Sequence, residues 1–111
     1  MSSWREGNMT QKAIAVLADQ VAQLYVDLDA MIAQERWAAA ATYIGFYNDF
    51  LAQAKTLLPD LPLEPLSEPH QFPKGPALKG HFQQERSDRE ALLTLRPLCG
   101  QLKVRLRQEA D

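Results

Sequence analysis

The chain has 111 residues, 46% of them hydrophobic and 23% charged, with a net charge of −2 at neutral pH. That length supports one domain with a core of its own, the composition is too apolar for a disordered chain, and the charge lacks the strongly basic balance of a non-specific nucleic-acid binder. One cysteine, Cys99, leaves no intrachain disulfide, Met1–Lys12 has no apolar signal-peptide core, and no apolar tract approaches the roughly 20 residues of a bilayer span, so a cytoplasmic protein without a membrane span is expected.

Residues 1–9 show no sustained period and read as a short leader, with Trp4 free to tuck onto the body of the protein. From Thr10, whose hydroxyl can cap a helix, apolar residues recur at Ile14, Leu17, Val21, Leu24, Leu28 and Met31, a seam of alternating three- and four-residue steps that predicts a helix over 10–33. The next seam position is Glu35, and the following apolar row starts at Trp37, six residues after Met31. The phase therefore breaks, and a tight turn at Gln34–Arg36 is expected to fold 10–58 into an antiparallel helical hairpin.

The second helix carries one stripe of Trp37, Ala40, Ile44, Tyr47, Leu51, Ala54 and Leu58, and a second stripe of Tyr43, Phe46, Phe50 and Leu57 beside it. Two adjacent stripes call for two packing neighbours or leave a face for a partner. Pro59 ends this helix, because the residue before a proline is pushed out of helical geometry. Six of the seven prolines fall within 59–76, interleaved with Leu61, Leu63, Leu66 and Phe72. Such a segment is extended and stiff, able to run back along the hairpin, and its leucines suit packing on the bundle at least as well as recognition by a proline-reading domain.

The third helix is expected over 77–110 in two parts. Residues 83–90 are wholly polar, and Ser87-Asp88-Arg89-Glu90 reads as a capping box before a third seam of Leu92, Leu95, Cys99, Leu102 and Leu106. Pro97 lies inside that seam and predicts a kink near Leu93–Pro97, or a break that splits off a short fourth helix. The fold class is thus all-α: an antiparallel three-helix bundle in a single domain, with a proline-rich crossover.

Catalytic chemistry is hard to place on this pattern. His70 and His81 have no cysteine or paired carboxylate at metal-ligand spacing, the Gly75–Gly80 stretch lacks the lysine and Ser/Thr of a phosphate loop, and Cys99 falls on an apolar seam as a small buried hydrophobe does. Asp27 and Asp29, two residues apart, face different directions. No catalytic residue, metal or cofactor is expected. The Tyr43–Phe46–Tyr47–Phe50 cluster reads either as core against the third helix or as a contact surface. Charge divides unevenly: residues 1–69 hold four Lys/Arg against nine Asp/Glu, and 70–111 hold eight against five. Either the two halves complement each other, or Lys103, Arg105 and Arg107 form a basic docking strip, the feature a weak nucleic-acid binder would use.

The entry to the second helix as Gln34-Glu35-Arg36-Trp37, the aromatic at Tyr43 two turns on, and a third helix ending in Leu102-Lys103-Val104-Arg105-Leu106-Arg107 resemble flagellar-export chaperones of the FliT type. The resemblance covers roughly 14–58 and 88–110. It implies a cytoplasmic, non-enzymatic chaperone that holds an export substrate on a face of its second and third helices, here Tyr43, Phe46 and Phe50 with Leu92 and Leu95. Apart from the resemblance, the residues indicate a protein-binding module, with self-association as a homodimer as the alternative.

Overall fold

A computed structural model describes the backbone of residues 2–72 and 78–110, and the side chains of residues 9–72 and 81–110. Three helices make up the fold: α1 (Ser2–Ala33), α2 (Ala40–Leu57), entered through a single 3₁₀ turn at Trp37–Ala39, and α3 (Leu78–Ala110). The architecture is the expected all-α three-helix bundle. One buried cluster draws on every expected seam: Ile14, Leu17, Val21, Leu24 and Leu28 from α1, Ala40, Ile44, Tyr47, Leu51 and Ala54 from α2, and Leu92, Leu95, Cys99, Leu102 and Leu106 from α3.

The turn at Gln34–Arg36 is present and its chemistry is specific. Arg36 N–H donates to the Met31 carbonyl at 2.9 Å and Glu35 N–H to the Ile32 carbonyl at 3.0 Å, the paired bonds of a Schellman motif. Glu35 has φ 56°, the left-handed position that glycine usually fills. An L-residue there costs about 1–2 kcal/mol, so the turn forms with Glu35 under strain where a glycine would have marked it in the sequence.

Two boundaries differ from the sequence-based expectation. α1 begins at Ser2 and not at Thr10; residues 2–9 contain no proline, and each residue added to an existing helix gains a hydrogen bond at little further cost. How Trp4 lies lies outside the described side chains. Ser87–Glu90 is not a helix start either, because α3 runs unbroken from Leu78 through Pro97 to Ala110 and no fourth helix splits off. Pro97 and Leu93, whose carbonyl loses its helical donor, both lie on the exposed side of α3, where water can replace the missing bond.

The helices are offset along their length. Arg96 meets Asp29 at 2.8 Å and Arg107 meets Asp19 at 2.8 Å, so numbers rise along α3 as they fall along α1 and the two run antiparallel. Between these ion pairs the ring of Tyr25 lies against Gly100, where an added Cβ would stand 3.3 Å from it, and Lys103 Nζ sits 4.4 Å from the ring centroid. Helices of 32 and 33 residues are each about 50 Å long, yet the molecule extends 66 Å. The N-terminal part of α3 therefore projects past the end of α1, where it packs against the 3₁₀ turn.

α2 returns along α1 and so runs parallel to α3, which obliges the connection to travel back the length of α2. The proline-rich segment does this, and two side-chain amides fasten it. Asn48 donates from Nδ2 to the Leu66 carbonyl at 2.8 Å and accepts the Leu66 N–H on Oδ1 at 2.9 Å; Gln84 accepts the Phe72 N–H at 2.8 Å and donates to the His70 carbonyl at 3.0 Å. Tyr47 Oη adds a bond to the Glu64 carbonyl at 3.3 Å, and Leu61 and Leu63 enter the core. Pro73, Pro76 and Ala77 lie outside the described residues.

Two outcomes follow from these contacts. Glu35→Gly is expected to raise stability by roughly 0.5–1 kcal/mol, the relief of left-handed strain less the added freedom of the unfolded chain, read as a higher urea midpoint at unchanged slope. Asn48→Ala leaves both polar groups of Leu66 without their partner and is expected to cost about 1–2 kcal/mol, with lost exchange protection at the Leu66 amide as its local signature.

Candidate functional site

The five residues expected to bind a partner separate into two groups. Leu92 and Leu95 are fully buried. They belong to the seam that α3 presents to the core and offer no surface, which corrects the expectation that helices two and three share the contact face. Tyr43 and Phe50 are half-buried and pack against the core. Phe46 is 47% exposed and meets Tyr43 edge to face, with centroids 5.8 Å apart and planes at 82°.

The crossover does not cover this row. Residues two apart on a helix stand about 160° apart around its axis, so Asn48, which holds the crossover, and Phe46, which leads the aromatic row, lie on opposite flanks of α2. Lys55, paired with Glu64 of the crossover at 3.6 Å, lies on the same flank as Asn48. One flank of α2 is thus sealed by the proline-rich segment, and the other keeps Tyr43, Phe46 and Phe50 with Phe46 open to solvent.

Four basic residues of the C-terminal half are engaged within the molecule. Arg96 and Arg107 pair with α1, Arg105 bonds Glu109 at 3.1 Å, and Lys103 lies over Tyr25. The Tyr25 hydroxyl, and then Asp29, hold Arg96 charged above its ordinary range. Two of the four, Arg96 and Arg107, pair with acids of α1, which is the kind of contact the first of the two readings of the charge pattern calls for.

Cys99 and Tyr47 both lie in the core. Burial pushes the Cys99 thiol up from about 9 to about 11, with nearby Lys103 opposing, and its Sγ lies 3.9 Å from the Val21 carbonyl. Burial, then Cys99 and Glu64, raises Tyr47 above the usual phenol value. Both groups are held neutral, which is the opposite of what a nucleophile needs. His81 stands 3.9 Å from Glu85 on the exposed side of α3, and His70 meets Phe72 edge to face. Among the described residues no three His, Cys, Asp or Glu side chains gather as a metal site, and no helix is long and apolar enough to cross a membrane.

One feature was missed in the sequence. A cleft of about 740 Å³ opens where α3 projects past α1, lined by residues 35–39 of the turn, by Met31, and by His81, Gln84, Glu85 and Asp88 of α3. The signal was available: Asp88 stands four residues before Leu92, in step with the seam, and is a carboxylate where the seam elsewhere holds leucine or cysteine. Comparison with family models, with curated proteins and with solved structures finds no match.

The buried thiol sets a pH dependence. Its pKa in the fold lies above that of the unfolded chain, so the stability tied to the neutral thiol is fully present below about pH 9 and is lost as pH rises through about 11. The melting temperature is expected to fall across that window, with Tyr47 acting in the same sense, and at neutral pH a thiol reagent is expected to label Cys99 only as fast as the protein opens.

Proposed function

We propose that this chain is a non-enzymatic, cytoplasmic protein-binding module whose contact surface is the uncovered flank of α2, with Phe46 as the anchor and Tyr43 and Phe50 as its supports. The observation that carries this reading is the asymmetry of α2: the crossover is bonded to one flank, while the flank richest in aromatic residues keeps a half-exposed phenylalanine braced by a tyrosine. Rigid aromatic side chains of this kind supply much of the energy of protein interfaces. Within that class, the resemblance to FliT-type chaperones assigns the flank to holding an export substrate of the flagellar or type III kind before its release. Leu92 and Leu95 take no part, since they are core.

The test compares Phe46→Asp with Val104→Asp, a charge placed at an exposed apolar residue of α3. Both variants are expected to keep their helical content, while in pull-downs from the native lysate Phe46→Asp loses the bound protein and Val104→Asp retains it. Light scattering of the purified chain separates the competing occupant: a wild-type dimer that Phe46→Asp converts to monomer assigns the flank to a second copy. Capture unaffected by Phe46→Asp, or a Phe46→Asp chain that unfolds, removes the proposal.

A further inference from the structure

A second feature, distant from the aromatic flank, departs from the rule that built the core. Asp88 is 8% exposed and shares the stripe of Leu92, Leu95, Cys99, Leu102 and Leu106. Its Oδ1 accepts one hydrogen bond, from Gln84 Nε2 at 2.9 Å. No lysine or arginine forms an ion pair with it among the described residues. A carboxylate withdrawn from water without a cation is costly, and a leucine would continue the seam at no such cost. Departures of this kind concentrate where a site needs them.

The surroundings indicate what the carboxylate is kept for. Asp88 lines the end cleft, whose volume of about 740 Å³ lies within the range of small-molecule sites. The half-buried Trp37 lines it too, with Glu35 and Glu85 adding negative charge. We propose that this cleft binds an organic cation carrying a guanidinium group, with Asp88 as its counter-ion and the Trp37 ring as its stacking face. A guanidinium suits the site better than an ammonium because it is planar, more weakly hydrated and stacks on aromatic rings. A metal ion is a poorer fit, since among the described residues no three His, Cys, Asp or Glu side chains gather as a ligand set. Arg36 lines the same cleft and forms no ion pair among the described residues; it carries the same group and stands as the internal competitor for Asp88.

The experiment uses the full chain with Trp4→Phe, which leaves Trp37 as the sole tryptophan. Its fluorescence is followed while N-acetyl-arginine amide, the neutral isostere N-acetyl-citrulline amide, or agmatine is added, and calorimetry repeats the titrations on the unmodified chain. Saturable binding of the arginine compound in the millimolar range is expected, with the citrulline compound at least tenfold weaker. Asp88→Asn keeps the oxygen that Gln84 bonds and is expected to lower affinity at least tenfold at unchanged helical content, whereas Arg36→Gln raises it. Tighter binding of N-acetyl-arginine amide than of agmatine assigns the cation to a peptide side chain, and the reverse order to a free small molecule. Equal responses to arginine and citrulline compounds, no saturable binding of either guanidinium compound, or full affinity in Asp88→Asn overturns the proposal. The arginine–citrulline contrast needs no variant of Asp88, so it decides even if that substitution perturbs the fold.

Discussion

Two parallel neighbours, α2 and α3, cannot be joined by a short loop, and most of what is distinctive in this molecule follows from that constraint. The chain must return along α2 before α3 can start. An extended segment rich in proline gives up few backbone donors it would need to bury, and those it retains at Leu66 and Phe72 are met by Asn48 and Gln84. Because the segment occupies one flank of α2, the opposite flank is left to Tyr43, Phe46 and Phe50. Because it delivers the chain to α3 beyond the end of α1, the first turns of α3 project past the hairpin and enclose the end cleft. The open flank and the cleft thus have a common origin in how the chain connects its helices.

The three seams, the turn at Gln34–Arg36 and the end of the hairpin at Pro59 were legible because each rests on a local rule: apolar spacing, a phase break, a restricted residue before proline. What the sequence hid depends on partners distant along the chain. Thr10 and Ser87–Glu90 have the residue types of helix caps, yet a side chain becomes a cap only where the helix stops, and neither position is an end. Leu92 and Leu95 were counted as surface by analogy, although their own seam marked them as core. The roles of Asn48 and Gln84 could not be read from spacing, since each amide bonds backbone 12 or more residues away.

Asp88 is where the capping-box reading of Ser87–Glu90 and the phase of the third seam diverge. The capping box pairs Ser87 with Glu90 and gives Asp88 no part. The phase of Asp88 with Leu92 carried the other meaning, a charged group set into a buried stripe. The two readings differ only in whether the helix begins there, which the packing of the first turns of α3 against the 3₁₀ turn decides.

The ion pairs between α1 and α3 also bear on a question that apolar packing leaves open. Asp29–Arg96 and Asp19–Arg107 are partly exposed, and pairs of that kind contribute little to stability. Their value lies in uniqueness. A seam that repeats every seven residues would keep most of its leucines opposed with α3 displaced by one full repeat, about 10 Å along the axis, although Tyr25 would then lose its place at Gly100. That displacement parts both acid–base pairs at once, so the charges act as a vernier on an otherwise periodic interface. Concentrated salt, by screening them, would blur the choice of alignment while leaving the helices themselves intact.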